Sequence, residues 1–356
     1  MKIAFSIAHM GIGGAQRVTL NLIHWINKYT NNEVLLFIGT SKKVSDFAYS
    51  LDGINFYKLP DSKVIKIKTL RSYLLKEKPD VLITMGMPDT IYDSLACIGL
   101  SLKHIVSERN DPRHFGGKSS TKWLSRLLAC FADGYVFQTK DAKDYYCLPC
   151  FKKGTIIPNP LIGLEQMPSK PYQGERNKKI VTVGRLNVQK NHPLLVNAFS
   201  QIADEFPEYK LVIYGEGPTR DSLIDLVDSL GLHDRVELPG SISDVFSKIY
   251  ESSLFVLSSD FEGMPNALME ALALGIPCIS TDCPCGGPKE LIQDGVSGLL
   301  VPTQNQESLA NAMRRVLRFS HESKMMSVES FKIREKLCLD RVANQWLDYF
   351  YQTIRK

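Results

Sequence analysis

Short apolar runs alternate with helical patterns along the whole chain, and this alternation constrains the fold more than any other feature. Helical patterns separate most of the runs, for example at 14–29, 220–230 and 306–318. The runs typical of buried strands occur at 3–8, 34–38, 81–84, 105–107, 135–138, 155–158, 180–183, 210–214, 236–238, 254–258, 278–281 and 299–301. Apolar strands that alternate with helices are typical of parallel sheets covered on both faces. We therefore expect an α/β protein with doubly wound parallel sheets.

The length and a change in composition near the middle of the chain indicate two domains. A chain of 356 residues can form two domains, each with its own core. Residues 165–177 include two prolines and a glycine and lack an apolar period, which is typical of a linker. We expect one domain over residues 1–170, a second over 171–340, and a last helix over 341–356 that crosses back to the first. Because ligands bind at the carboxyl ends of parallel strands, two such domains facing each other would form one cleft.

Charge is unevenly distributed between the two halves. Residues 1–170 carry 23 Lys and Arg against 14 Asp and Glu, whereas residues 171–356 carry 20 against 24. A basic first half indicates an anionic partner, which could be a membrane surface, a diphosphate-linked lipid or a nucleic acid. No aromatic stacking motif accompanies the basic residues, so we do not expect nucleic-acid binding.

The sequence predicts a cytoplasmic protein. A strand pattern begins directly after Met1 and Lys2, which leaves no room for a signal peptide, and no apolar run is long enough to span a bilayer. The eight cysteines are scattered, as expected in a reducing compartment. The pairs at 147/150 and 283/285 resemble zinc half-sites, but no second pair or His-x-x-His lies nearby. We therefore expect free thiols and no metal.

Two carboxylates, Glu262 and Glu270, lie at the start and in the middle of a strongly apolar helix. Pro265 suits the first turn of this helix and Gly275 suits its end. The helix is apolar nearly all round and is predicted to be buried, so Glu270 needs donors or a cationic partner. Glu262 precedes the helix, where backbone N–H groups are free. This arrangement fits a pocket for sugar hydroxyls and phosphate. The alternative is a structural ion pair for Glu270 and a solvated Glu262.

Glycine-rich and basic loops follow the first strand of each expected domain. Residues 11–14 include three glycines before a helix, which lets the backbone approach a phosphate. Gln16 stands where the dinucleotide fingerprint needs glycine, so a nicotinamide cofactor is disfavoured. In the second domain, Arg185 and Lys190 flank the corresponding loop and suit a diphosphate. A ligand-free turn and a pair of solvated cations are the respective alternatives.

Three further loops end strands. Residues 214–218 contain two glycines that permit close approach of another backbone or a ligand, and the backbone near Ile242 could border a nucleobase. Residues 106–114, which include Glu108 and Arg109, are dense in polar groups and would face a cleft. A solvated surface loop explains residues 106–114 equally well.

In combination, these motifs resemble those of retaining glycosyltransferases of the GT-B fold, family 4. The segments that carry the resemblance are residues 13–17, 158–160, 184–190, 262–270 and 286–290. The chain is most similar to bacterial enzymes that extend lipid-linked oligosaccharides for O-antigen, capsule or glycoprotein glycans. The resemblance implies two Rossmann-like domains that face a cleft. Many relatives carry a histidine after the strand that ends near Ser107, where this chain has Glu108 and Arg109.

The resemblance also implies residue roles and a UDP-sugar co-substrate, with no metal or other cofactor. Arg185 and Lys190 would neutralise the departing diphosphate, and Glu262 would hold hydroxyls of the donor sugar. The other residues expected at the donor are Gly14, Ile242, Gly263, Met264, Asn266 and Glu270. Those expected at the acceptor, a polyprenyl-diphosphate-linked oligosaccharide, are Arg17, Glu108 and Arg109.

Two other functions share this build. A nucleotide-sugar 2-epimerase would need carboxylates placed to move a proton on the sugar ring, which the motifs do not indicate. A non-catalytic partner subunit would be expected to lose Arg185, Lys190, Glu262 or Glu270, and all four are present.

Residues 63–71 and 122–128 mix cations with aliphatic and aromatic residues, which predicts peripheral binding at the inner membrane face. A solvated basic helix face is the alternative.

Overall fold

The computed structural model describes residues 1–11, 13–40, 42–43, 45, 47–114, 119–146 and 148–355. These form two compact units, the first comprising residues 1–162 and 337–356 and the second residues 163–336. The expected boundary after residue 170 is therefore placed too late. Residues of the predicted linker pack on the second unit: the Tyr250 hydroxyl donates to the Lys170 carbonyl (2.8 Å), and Arg176 donates to the Ser252 carbonyl (2.9 Å).

The described part of the first unit contains a sheet of seven parallel strands in the order β3-β2-β1-β4-β5-β6-β7. The strands are β1 (Lys2–Ile7), β2 (Glu33–Ile38), β3 (Asn55–Lys58), β4 (Val81–Met85), β5 (Lys103–Ser107), β6 (Gly134–Phe137) and β7 (Thr155–Ile156). The residues of β1, β2 and β4 are almost all buried, as their apolar sequences predict. The sequence did not predict β3, because this short edge strand is only partly buried and lacks a continuous apolar run.

Helices cover both faces of the first sheet. They are α1 (Gly14–Tyr29), α2 (Lys63–Glu77), α3 (Thr90–Cys97), α4 (Ser119–Ala129), α5 (Lys140–Tyr145) and α6 (Pro149–Lys152). Buried residues of α1 share a core with one face of the strands, whereas buried residues of α2 and α3 share a core with the other. α4 packs beside α3, so α2, α3 and α4 form one layer. The sequence did not predict the single-turn helix α6.

The second unit contains six parallel strands, among the residues described there, in the order β10-β9-β8-β11-β12-β13. They are β8 (Asn177–Val183), β9 (Lys210–Tyr214), β10 (Val236–Gly240), β11 (Ser252–Leu257), β12 (Cys278–Thr281) and β13 (Leu299–Val301). Both sheets follow the doubly wound pattern in which the chain runs outwards from a central pair of strands. This confirms the predicted fold class of two Rossmann-like parallel-sheet domains.

The helices of the second unit follow its strands. They are α7 (His192–Ser200), α8 (Arg220–Ser229), α9 (Val245–Ile249), α10 (Asn266–Ala273), α11 (Gly287–Leu291), α12 (Gln306–Arg318), α13 (Ser320–Phe331) and α14 (Ile333–Leu337). The sequence did not predict α13 and α14, because their apolar residues follow no clear helical period.

The last helix, α15 (Leu339–Ile354), belongs to the first unit. Its Trp346 and Phe350 are fully buried in the same core as α1, and the Trp25 indole donates to Asp340 (2.5 Å). The chain therefore forms the second unit as an insertion between β7 and the final helix of the first unit.

Candidate active site

The strand order of the second unit reverses between β8 and β11. In open parallel sheets a crevice forms at such a switch point. The connection from β8 leads towards β9 on one side, and the connection from β11 leads towards β12 on the other. Ligands of open parallel sheets bind at the carboxyl ends of strands at this switch point. The loop that contains Arg185 and Lys190 follows β8, and the loop that contains Glu262 follows β11.

Lys190 and Glu262 meet at this switch point. The Lys190 Nζ atom lies 2.6 Å from Oε1 of Glu262, and the Ser259 hydroxyl donates to the same oxygen at 2.8 Å. Glu262 is only 7% exposed, so it is not the solvated loop residue of the alternative, and its predicted role at the donor sugar stays a prediction. Among the residues described, both side-chain hydrogen bonds to this carboxylate reach Oε1, which leaves Oε2 available to a ligand.

Further hydrogen bonds hold the two loops together. The Gln189 side chain donates to the Phe261 carbonyl (2.9 Å), and the Asn191 side chain donates to Asp260 (2.9 Å). The Asn191 side chain also caps α7 by accepting from the backbone of Leu194, and its backbone has a left-handed conformation (φ 44°). These bonds restrict the position of Lys190 relative to the start of the β11 loop. Preorganised charge of this kind suits a reaction in which charge develops.

Glu270 lies in the middle of α10, as predicted, and α10 is buried along most of its length. The helix begins after Pro265 and is followed by Gly275 in the left-handed region (φ 67°), as the sequence indicated. Gly263 and Met264 are buried in the segment that joins Glu262 to the helix, and Asn266 is its first residue. The structure therefore brings the predicted donor residues 262–270 into one continuous turn and helix.

Close backbone contacts shape the edges of the site. A Cβ atom on Gly215 would lie 1.8 Å from the Gly184 carbonyl oxygen, and Gly215 has φ 146°. A Cβ on Gly287 would lie 1.8 Å from the Gly263 carbonyl oxygen. Positions 215 and 287 thus need glycine because another backbone segment lies too close for a Cβ atom. For residues 214–218, this is the close approach of another backbone that the sequence allowed.

Arg185 and Ile242 lie on loops at the same edge of the sheet. Arg185 is exposed on the loop that follows β8, and Ile242 is half-buried after β10. The roles predicted for both residues stay predictions.

The predicted ligand-binding residues of the α1 loop lie in the first unit. Gly14 is the exposed first residue of α1, and Arg17 is half-buried in its first turn. The Arg17 guanidinium donates to the Ile162 carbonyl at 3.4 Å. Their contacts with donor and acceptor stay predictions.

Glu108 is buried, so its side chain does not belong to a solvated surface loop, which was the alternative for residues 106–114. Its Oε2 accepts from the Tyr146 hydroxyl (2.7 Å), and Oε1 accepts from the backbone N–H groups of Arg109 and Asn110. Burial raises the pKa of Glu108 to about 7. Because both oxygens are engaged inside the unit, its geometry is that of a residue that holds the loop after β5, and its predicted acceptor contact stays a prediction.

Arg109 joins three strand ends. Its guanidinium contacts the Asn159 side chain, which also accepts from Gln138 (2.7 Å), and it lies over the Trp346 ring at 5.8 Å. Burial lowers the pKa of Arg109 to about 10. Nε and Nη1 of Arg109 are buried and have no acceptor among the described residues. The acceptor role predicted for Arg109 stays a prediction.

Sequence reasoning missed Ser259, Asp260, Asn191 and Gln189. Ser259 and Asp260 follow directly after β11, and this position at a strand end was the available signal. Cys283 and Cys285 are buried, and neither they nor Cys150 form a disulfide among the described residues, whereas Cys147 lies outside them. No group of three or more His, Cys, Asp or Glu within the described ranges is placed to hold a metal ion. Of the described helices, none has the length and apolar character needed to cross a membrane.

Comparisons with known proteins agree with this geometry. Residues 165–332 match the family model for glycosyl transferases group 1, and this range contains the whole Lys190 and Glu262 site. An uncharacterized glycosyltransferase of Haemophilus influenzae is 27% identical, over 97% of this chain and 98% of its own length. A Campylobacter jejuni enzyme named as an α-1,4-N-acetylgalactosaminyltransferase acting on a diNAcBac-PP-undecaprenol-linked saccharide is 26% identical, over 98% and 97%.

Solved structures share the fold over the full length. HepE of Anabaena in complex with UDP has a TM-score of 0.84 at 17% identity, and covers 99% of this chain and 100% of its own. The lipopolysaccharide outer core galactosyltransferase WaaB has a TM-score of 0.81 at 22% identity, with 99% of each chain covered. The chain therefore has the GT-B fold, its residues 165–332 match the glycosyl transferases group 1 family, and along nearly its full length it is similar to proteins named glycosyltransferases.

Proposed function

We propose that the protein is a retaining, metal-independent glycosyltransferase. It moves a hexose or N-acetylhexosamine from a UDP-sugar to a hydroxyl of a polyprenyl-diphosphate-linked oligosaccharide. This reaction would serve the biosynthesis of O-antigen, capsule or another glycan. N-acetylgalactosamine, galactose and glucose are all open as the transferred sugar.

The observation that carries the proposal is the contact between Lys190 and Glu262 at the switch point of the second unit. A lysine next to a buried carboxylate presents a positive charge and a hydrogen-bond acceptor at one place. A nucleotide sugar needs both, because its diphosphate is anionic and its sugar hydroxyls are donors. Oε2 of Glu262 is free to accept from a sugar hydroxyl, while Lys190 and Arg185 face the diphosphate.

The proposed chemistry is a same-face substitution at the anomeric carbon. The bond between that carbon and the diphosphate oxygen breaks, and the electron pair leaves with the diphosphate. The acceptor oxygen forms the new bond, and its proton passes to the departing diphosphate. The protein contributes positioning and stabilisation of the negative charge by Lys190 and Arg185.

The names of similar proteins support the substrate classes. The Campylobacter jejuni relative acts, by its name, on an undecaprenol-diphosphate-linked saccharide. A second relative from the same organism is also named for an undecaprenol-diphosphate-linked acceptor. A further relative is named lipopolysaccharide 1,6-galactosyltransferase. HepE was solved with UDP and with UDP-glucose.

The surface of the first unit supports acceptor delivery from a membrane. Large apolar side chains are exposed along the layer of α2, α3 and α4, including Val64 (63%), Trp123 (65%) and Phe131 (79%). Lys and Arg outnumber acids in two of these helices: α2 carries five cations and one glutamate, and α4 carries two cations and no acid. Exposed aromatic and aliphatic residues beside cations suit an anionic lipid surface. We infer a cytoplasmic protein that binds peripherally at the inner membrane face.

Substitution of the cations tests the proposal. A thermal-shift screen of nucleotide sugars identifies the donor, and turnover is then measured on polyprenyl-diphosphate oligosaccharides. Lys190→Ala and Arg185→Ala are each expected to lower kcat by about a hundredfold or more, because each would remove charge stabilisation. Lys248→Ala is the matched control, since Lys248 is exposed on α9 in the same unit. Near-normal turnover of both site variants would reject the assignment.

The same assay separates the alternatives. A 2-epimerase would convert the donor without any acceptor, whereas a transferase would release UDP at full rate only with acceptor. The anomeric configuration of the product, read by NMR, tests retention. Loss of turnover in a chelator would contradict metal independence.

A further inference from the structure

Two thiols of the first unit lie in direct contact. The Cys150 thiol donates to Sγ of Cys130 at a sulfur–sulfur distance of 2.8 Å. Cys130 directly follows α4, and Cys150 is the second residue of α6. The sequence paired Cys150 with Cys147 as a zinc half-site, whereas the tertiary structure pairs it with a thiol 20 positions earlier. Thiols in contact need only a small movement to reach the disulfide bond length of about 2.05 Å.

Both thiols of this pair are accessible to a reagent. Cys130 and Cys150 are each half-buried, whereas Cys278 and Cys283 are buried. In the described ranges, no third His, Cys, Asp or Glu joins the pair in a group that could hold a metal ion. The pair therefore has the arrangement of a dithiol that can be oxidised, and in reducing compartments such pairs are usually transient and redox-sensing.

An aromatic cluster holds the two thiols in place before any bond forms. The Phe151 ring, next to Cys150, lies 4.8 Å from the ring centre of Tyr135 and 4.8 Å from that of Tyr146. The Tyr135 hydroxyl donates to the carbonyl of Ala129, the last residue of α4. The end of α4 and the helix α6 thus both rest on Tyr135. Holding two reacting groups in this way favours their reaction with each other over reaction with solute.

We propose that Cys130 and Cys150 are a reversible redox pair, which a low-molecular-weight disulfide such as glutathione disulfide converts to an intramolecular disulfide. The Cys150 thiolate attacks one sulfur of the reagent, forms a mixed disulfide and expels one thiolate. Cys130 then loses its proton to solvent and attacks the Cys150 sulfur, which expels the second thiolate. Two protein thiols are oxidised, and one reagent disulfide is reduced to two thiols.

The order of the two steps follows from the environment of Cys130. Burial and the hydrogen bond from Cys150 raise the pKa of Cys130 to about 12. Because the thiolate is the nucleophile, Cys130 is the poorer first attacker, and its turn comes when the Cys150 sulfur is already beside it. The bridge would join the end of α4 to α6 across β6 and α5. It would stabilise the first unit mainly by restricting the unfolded chain.

Peptide mapping of the full-length protein in glutathione redox buffers tests the proposal. After alkylation of the remaining thiols, mass spectrometry is expected to show one Cys130–Cys150 bridge that forms with glutathione disulfide and opens with reduced glutathione. Thermal unfolding of the oxidised protein is expected to have a Tm roughly 5–10 °C higher. Cys130→Ser and Cys150→Ser should each lose both the bridge and the Tm shift. Cys97→Ser, at a half-buried position in the same unit, is the matched control and should keep both.

Three results would overturn the inference. The first is a bridge between Cys147 and Cys150, and the second is a stable glutathione adduct with no bridge. The third is a bridge that is present from the start and resists reduced glutathione, which would show a permanent structural disulfide. None of these readouts involves sugar transfer, so the inference stands or falls independently of the proposed function.

Discussion

At the scale of single residues, Glu108 shows how burial changes a side chain that the sequence places in a polar loop. Its ordinary pKa of 4.5 is raised to about 7 by burial, and its main partner, Tyr146, lies 38 positions away in the chain. Between these two values the folded protein holds a proton that the unfolded chain has released. The free energy of unfolding therefore falls as pH rises through this range, by at most about 3 kcal/mol.

Glu108→Gln is expected to remove this pH dependence, because glutamine does not titrate. Between about pH 5 and about pH 8, the free energy of unfolding of the wild type should fall by up to about 3 kcal/mol more than that of the variant. Urea unfolding at a series of pH values measures the difference. His104 and Asp93 are also buried with shifted pKa values, but they titrate in both proteins and cancel.

Glu165→Gln, at an exposed position of the second unit, serves as the matched control for this comparison. Its unfolding curve should follow that of the wild type at every pH. Parallel pH profiles for wild type and Glu108→Gln would show that Glu108 has the same proton affinity in both states, contrary to the expectation.

At the scale of elements, α15 completes the core of the first unit although it follows the second unit in the chain. Phe350 contacts Phe5 edge-on, with ring centres 6.2 Å apart, and the Tyr349 hydroxyl accepts from the backbone N–H of Tyr135 at 2.9 Å. The amphipathic pattern of residues 341–355 predicted a helix, and an apolar face of this kind must be covered. The core that covers it is made by strands more than 200 residues earlier.

Trp346→Ala is expected to destabilise the first unit by about 3–5 kcal/mol, because it deletes a fully buried indole and leaves a cavity. Hydrogen exchange followed by mass spectrometry should show faster exchange in residues 1–162. Tyr351→Ala is the matched control, since Tyr351 belongs to the same helix and is 42% exposed. Equal exchange in the two variants would mean that the helix contributes little to this core.

At the scale of the whole molecule, the first half of the chain is basic, and one helix layer of the first unit combines cations with exposed apolar side chains. The first 170 residues have an excess of nine positive charges, whereas the remainder has an excess of four negative charges. Exposed Trp123 lies on α4 and exposed Phe131 lies two residues after it, whereas the opposite face of the same sheet is covered by α1 with exposed Tyr29. The inferred membrane contact is thus assigned to a defined surface, and Tyr29 on the opposite face provides a control position.

Trp123→Ser and Phe131→Ser are each expected to reduce binding to vesicles that contain phosphatidylglycerol by several-fold, because aromatic side chains anchor in the interface. Tyr29→Ser should bind as the wild type does. Co-sedimentation at two salt concentrations measures the effect, and binding should weaken at the higher one. Equal binding of all variants, or equal binding to neutral phosphatidylcholine vesicles, would contradict this surface.

The candidate site was predictable to the extent that its residues are close in sequence to a strand end. Lys190 was found in this way, whereas Glu262 was found from its position just before the buried apolar helix, and the two side chains lie in contact in the structure. Ser259 was missed although it lies three residues from Glu262, because a serine after a strand is common and has no distinctive pattern.

The order of apolar runs and helical patterns was enough to establish two parallel-sheet domains, the buried helix around Glu270 and the basic loop after β8. These features depend on residues within one strand, one turn or one helix, where neighbours in the chain are also neighbours in space. Three features depended on the tertiary structure: the unit boundary, the edge strand β3 and the buried hydrogen bonds of Glu108. Each depends on which distant segments pack together, and that is decided by the burial of whole faces rather than by local preference.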